Sequence, residues 1–241
     1  MLSVGGGPNN NQAFGNYVQN LTISTGSGNP GAAGLRYKAS NYGATTELTI
    51  RSEDGAGAAG LLLDWADPGP QIHRNMHIVG FDHGIRSTSA MFGPVFENIL
   101  LEGQRRAGVH NTNNCLWMRR ILSRNRVPAV VNGLAGGTDR RPDGNFIILV
   151  ESRLEGGDGA AAVLVDGGMA YLRQVETAGY GAAIRDASIY ITHTPCIHCF
   201  KVLINTGIVR ICYETEYKLE TLGPLLQYTP QVRLEKIAIA P

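Results

Sequence analysis

Charge is what this sequence has least of. Asp, Glu, Lys and Arg make up 17% of its 241 residues, against about 25% in an ordinary globular chain. The formal net charge is +1, so no strong field steers the chain toward nucleic acid or an anionic membrane. The pairs Arg105-Arg106 and Arg119-Arg120 read as solvated surface. No apolar run is long enough to span a bilayer. Met1-Leu2-Ser3-Val4, followed by Gly5-Gly6-Gly7, has no basic segment and too short an apolar one for a signal peptide. The expectation is a cytoplasmic protein with no membrane partner. Cysteine is scarce too. The four cysteines make no disulfide framework: two form Cys196-x-x-Cys199, while Cys115 and Cys212 read as small buried apolar residues. The sequon Asn20-Leu21-Thr22 would matter only in a secreted chain. Sustained helical periodicity is also missing between Gln71 and Ile184, which excludes a helical repeat there.

What is present is a β repeat. An apolar strand, a polar or Gly-containing corner and a second short strand return several times. Ile72–Val79 leads through Gly80-Phe81-Asp82-His83 to Gly84-Ile85. Val95–Leu101 leads to Gly108-Val109, and Cys115–Leu122 leads to Ala129-Val130. Phe146–Glu151 leads to Ala161-Ala162-Val163, and Met169–Glu176 to Ala182-Ala183-Ile184. The equivalent small residues Gly84, Gly108, Ala129 and Gly181 recur roughly every 20–25 residues with one longer step, a period that marks a solenoid. The strands alternate (Ile72, Met76, Ile78; Ile99, Leu101; Ile148, Val150; Leu172, Val175), and the 31 glycines suit corners that need positive φ. A turn that cannot bury its own apolar face must stack on the next, so the expected fold is mainly β, a right-handed parallel β-helix.

Residues 1–13 are polar and read as a flexible N-terminus. The solenoid is expected over 14–184, in about seven turns. Asn20-Leu21-Thr22-Ile23 with Gly28-Asn29-Pro30-Gly31-Ala32, then Ala39-Ser40-Asn41, resembles the opening turns of pectate-lyase-superfamily β-helix proteins. Gly80-Phe81-Asp82-His83-Gly84-Ile85-Arg86, Gly103–Gly108 and Asn125–Val130 are similar to the same group, which includes glycoside-hydrolase-like members. The resemblance implies binding or cleavage of a polysaccharide. The Asn-x-Asp, Asp-Asp and Gly-His-Gly segments of the polygalacturonase branch are not present.

After Ile184 the logic changes, and 185–241 reads as a small α/β appendage. Ser188–Thr192 is a strand, Pro195–Asn205 a helix with Pro near its start and Gly207 past its end, and Val209–Tyr213 a strand. Leu219–Gln227 is a short helix and Val232–Ile237 a last strand. His193-Thr194-Pro195-Cys196-Ile197-His198-Cys199, with Asn205-Thr206-Gly207, resembles the C-terminal half of zinc-dependent deoxycytidylate and cytidine deaminases. That resemblance implies zinc as cofactor, Cys196 and Cys199 as ligands, and a nucleotide as partner. Such enzymes also need His-x-Glu, whose Glu moves protons. Two places after His73, His77, His83 and His110 stand Asn75, Val79, Ile85 and Thr112, so none supplies it. His193, just before the helix, is the candidate third ligand.

On the solenoid, Asp64, Trp65 and Asp67 form one polar cluster, and Asp82, His83 and Arg86 another. Asp64, Asp67, Asp82 and His83 are the catalytic candidates, since paired carboxylates can act as acid and base on a glycosidic bond. Trp65 and Arg86 are the carbohydrate-binding candidates. Three readings follow: a polysaccharide-binding or -processing β-helix, a deaminase-like protein lacking its His-x-Glu half, and a structural chimera without activity. A solenoid also exposes an unpaired strand at each end. Ser188–Thr192 is therefore expected to stack as a further rung, with the helix 195–205 capping the open end.

Overall fold

A computed structural model of the chain describes residues 1–5, 11–66, 68–89, 93–133, 145–157, 159, 161–166, 168–185, 187–205 and 208–237. The first strands in chain order are β1 (Leu2–Val4), β2 (Asn16–Ser24), β3 (Ala33–Tyr37), β4 (Gly43–Arg51), β5 (Ala59–Leu63), β6 (Ile72–Val79), β7 (His83–Ser87) and β8 (Val95–Glu102). Then come β9 (Ala107–Asn111), β10 (Cys115–Asn125), β11 (Val130–Gly133), β12 (Phe146–Gly156), β13 (Ala161–Asp166), β14 (Met169–Ala178) and β15 (Ala182–Arg185). The appendage adds β16 (Ala187–His193), α1 (Ile197–Asn205), β17 (Ile208–Thr215), α2 (Gly223–Tyr228) and β18 (Arg233–Lys236).

The odd strands β1 to β15 form one parallel sheet of short strands, and the even strands β2 to β14 form a second, of long strands. Each strand pairs in parallel with its equivalent one turn on, for example Ile72 with Val95 and Leu61 with Ile85. The fold is a β-solenoid of about eight turns. Among the described residues no helix is long and apolar enough to cross a membrane.

The core runs up the middle as registered columns. Leu35, Leu61, Ile85, Val109, Val130 and Val163 stack from the short strands, and Leu48, Met76, Ile99 and Ile121 from the long ones, all buried. Gly34, Gly60, Gly84 and Gly108 line one inner column. None of these four has a positive φ. Their reason is close approach, because a Cβ at Gly60 would lie 2.9 Å from the carbonyl oxygen of Gly84. Positive φ falls instead on other glycines, among them the corner residues Gly55, Gly80 and Gly103.

Each long strand bends once. Asn20, Glu47, Asn75, Asn98, Arg120, Glu151 and Gln174 all have φ between 49° and 60°. The pairing on either side aligns them into one column. A left-handed residue reverses the in–out alternation, so in β6 the buried positions are His73, Met76 and Ile78. This gives each turn three faces where the sequence suggests two. Pairing with the neighbouring turns sets the phase of β12: Ile147 and Leu149 are buried, and Ile148 and Val150 face outward, contrary to the alternation read from sequence. Ile72, too, is exposed.

The N-terminus is more ordered than its composition suggests. Leu2, Ser3 and Val4 pair with Leu35, Arg36 and Tyr37, so the solenoid begins within the segment expected to be flexible. At the other end, β16 does not add a rung. It pairs with β17, and β17 with β18, in a separate three-stranded parallel sheet. Phe200 of α1, Ile208 and Ile211 of β17, Leu222 and Val232 are buried in the same apolar cluster as the solenoid core. The appendage therefore shares the core by packing, not by continuing the ladder.

Candidate functional site

Two of the polar residues singled out in the sequence converge on the outer face of the short-strand sheet. Arg36, Leu62, Arg86 and His110 occupy one outward column. His83 stacks on His110 with ring centroids 5.0 Å apart. His83 Nδ1 lies 3.2 Å from the Ala58 carbonyl and His110 Nε2 lies 3.3 Å from that of Gly133, contacts in which each nitrogen donates its proton. Burial pushes both imidazoles below their usual range. Repulsion from His83 and Arg86 adds to this at His110, and Arg86 and Arg106 act likewise at His83, partly offset by the Ala58 carbonyl and Asp82. Arg86 Nε and His110 Nδ1 are buried without a hydrogen-bond partner. Both histidines are therefore mostly neutral near pH 7.

The carboxylates do not form an acid–base pair. Asp64 follows the end of β5 and Asp82 precedes the start of β7. In this register they stand six positions apart along the strand direction, about 20 Å, whereas glycosidase pairs sit within about 10 Å. Each is also ion-paired: Asp64 Oδ1 lies 2.7 Å from Arg36 Nε, and Asp82 lies 2.8 Å from Arg105 and 3.6 Å from Arg106. The Arg36 guanidinium sits 4.7 Å over the Trp65 ring, covering the face a sugar would stack on. Asp67 lies outside the described residues. Arg119 and Arg120 ion-pair with Glu151, and Arg119 also with Glu97, as befits a solvated face.

A groove follows the bend of the long strands. It has a volume of about 470 Å³ along Asn20, Glu47, Asn75, His77, Asn98 and Arg120. About 410 Å³ more lies along Glu151, Arg153, Gln174 and Glu176. The column of left-handed residues lines it rung by rung. Asn98 Nδ2 donates to Asn75 Oδ1 at 2.7 Å, and Asn75 Nδ2 donates to the Glu47 carboxylate. His77 Nε2 meets Glu102 at 2.7 Å on the adjoining face.

The cysteine pair sits at the start of α1. Thr194 fixes the approach, its hydroxyl donating to the Tyr217 carbonyl and accepting from the Tyr217 N–H, both at 2.6 Å. Buried Phe200 anchors the helix. The sulfurs of Cys196 and Cys199 are 3.3 Å apart, and the Cys199 N–H donates to Cys196 Sγ at 3.4 Å. That N–H, with the Cys199 thiol, pulls the Cys196 thiol below its usual range. The hydrogen bond to Cys196 and the charge there push Cys199 up. Two such sulfurs are half of a tetrahedral zinc set. Among the described residues no group of three His, Cys, Asp or Glu could hold a metal, and His193 joins no such group. The described residues thus do not complete a zinc site.

Comparison with known proteins bears on this end of the chain. Residues 162–215 match the family described as the cytidine and deoxycytidylate deaminase zinc-binding region. ComE operon protein 2 of Bacillus subtilis (strain 168) is 33% identical over 60 residues, covering 25% of this chain and 32% of that protein. The chain therefore spans about a third of the length of that curated relative. No solved structure matches. The chain carries a deaminase-like zinc-binding region, and its matched segment begins within β13, inside the solenoid.

Proposed function

We propose that the solenoid binds a linear polysaccharide along the bend of its long strands. The observation that carries this reading is the groove itself. It presents amides, carboxylates, a hydroxyl and an imidazole at one rung spacing, about 4.8 Å, held in order by the Asn98–Asn75–Glu47 ladder and the His77–Glu102 contact. A repeating, hydroxyl-rich polymer offers donors and acceptors with a matching linear order. Binding, and not cleavage, is the activity proposed, because Asp64 and Asp82 are far apart and ion-paired. His83, Arg86 and His110 on the opposite sheet are the second place a glycan could touch.

The test replaces Asn75 and Asn98 together by glycine, which keeps their positive φ at little steric cost. Retention in gels containing linear polysaccharides, neutral and acidic, reads the affinity. The double variant is expected to bind at least about tenfold more weakly, some 1.4 kcal/mol, with an unchanged melting temperature. Equal binding by the variant, or no retention of the wild type by any linear polysaccharide, overturns the proposal.

A second reading rests on the family match at 162–215. We propose that the deaminase-like segment is non-catalytic as it stands, since this chain contains no His-x-Glu to move protons. Elemental analysis of the purified chain is expected to give well under one zinc per chain, with no difference in a Cys196→Ser variant. About one zinc, lost on substitution, would mean a third donor exists and would revive nucleotide binding as the question.

A further inference from the structure

The outer face of the long-strand sheet carries an apolar stripe that the described residues leave uncovered. Tyr17, Ala44, Ile72, Val95, Trp117, Ile148 and Tyr171 pair in consecutive register, one per turn, with no charge among them. Tyr17 is 62% exposed, Trp117 50%, Tyr171 51%, Ile72 41% and Val95 40%. Phe14 and Tyr42, tilted against each other with centroids 6.3 Å apart and both exposed, widen it at one end; exposed Met169 widens it at the other. Five half-exposed aromatic rings at about 200 Å² each leave about 500 Å² open to water. With Ile72, Val95 and Met169 the patch reaches about 700 Å², above the few hundred Å² usual for a monomer.

We infer that this stripe is the contact face for a second copy of the chain. The area is what decides the occupant: a stable twofold interface needs about 800 Å² from each partner, and the stripe comes close to that alone. Its chemistry agrees. Ala44, Ile72, Val95 and Ile148, with Trp117 among them, interdigitate across a sheet-on-sheet contact, and the four aliphatic side chains offer a sugar no hydrogen bond. A twofold pairing is self-complementary, so one face serves both copies and closes the assembly. Arg74, Glu97 and Arg119, two residues along each strand, lie beside the stripe and ion-pair among themselves, forming a polar rim. The groove at the bend lies beyond that rim and stays open.

The experiment measures the mass of the full chain in solution by light scattering and sedimentation at about 100 µM, well above a micromolar dissociation constant. The wild type is expected at twice the 25.9 kDa chain mass. Val95→Lys and Trp117→Lys, both at exposed positions, are expected to fall well below twice the chain mass at about 100 µM and to one chain mass at about 10 µM, with unchanged circular dichroism and at least about 100-fold weaker association. The Asn75/Asn98 glycine variant should remain dimeric, which separates this surface from the groove. A monomeric wild type, or lysine variants that still dimerise, overturns the inference. So does a monomer whose stripe variants lose polysaccharide retention, since the stripe would then be a glycan platform.

Discussion

Replacing Gly84 by valine is expected to lower the melting temperature by about 10 °C, the consequence of about 3 kcal/mol of overpacking in a chain of this size. A Cβ at Gly84 would stand 2.7 Å from the carbonyl oxygen of Gly108 and 2.8 Å from Leu101 Cδ2. The leucine can turn; the carbonyl cannot, because it belongs to the next rung of the ladder. The inner column tightens at Gly34, Gly60, Gly84 and Gly108 and relaxes at Ala129, which already carries a Cβ. Ala129→Gly should therefore cost only about 1 kcal/mol. Thermal unfolding of the two variants side by side checks the argument, and equal small shifts would show that turns are not held at close approach.

The second large effect is on acid stability. His73 is fully buried, stacked on Phe96 at 4.7 Å and edge-on to Tyr37 at 5.5 Å. Its Nδ1 meets the Thr45 hydroxyl at 2.8 Å, while Nε2 has no partner. Burial pushes the imidazole down to about 3. The unfolded chain takes up this proton below about pH 6.5, whereas the folded chain does not until about pH 3. The stability is thus complete above pH 6.5 and is lost as pH falls through that window, about 2 kcal/mol by pH 5. His83 and His110, also lowered, act in the same direction. His73→Leu should remove about 2 kcal/mol of the loss between pH 7 and 5, leaving the part due to His83 and His110, with Thr45 still donating to Met76 Sδ at 3.2 Å. A variant that loses stability as steeply as the wild type would contradict the assignment.

The ladder was legible because it is written in composition. Runs such as Ile72–Val79 and Val95–Leu101 can bury one face only by stacking, and the strands lie there. Pro195 likewise precedes the helix that forms over Ile197–Asn205. The bend was not legible, because its column reads Asn, Glu, Asn, Asn, Arg, Glu, Gln: only register, not residue type, unites these positions. Phe146-Ile147-Ile148-Leu149-Val150 offers two apolar phases, and the neighbouring turns choose between them. β1 was hidden because three residues carry no periodicity, and only pairing with Leu35–Tyr37 orders them.

The candidate site shows the same division. Sequence proximity grouped His83 with Arg86, but could not bring in His110, which arrives from the next turn. It could not show that Arg36 claims both Asp64 and Trp65. At the cysteines the i, i+3 spacing at a helix start leaves the sulfurs 3.3 Å apart. The absence of a third donor beside them among the described residues is a tertiary fact.

Hydrogen–deuterium exchange with and without a retained linear polysaccharide tests the central claim most directly. The account predicts slowed exchange along the second halves of β4, β6, β8, β10 and β12, with β7 and β9 little changed. Protection confined to β7 and β9, or no protection at saturating polysaccharide, would contradict it.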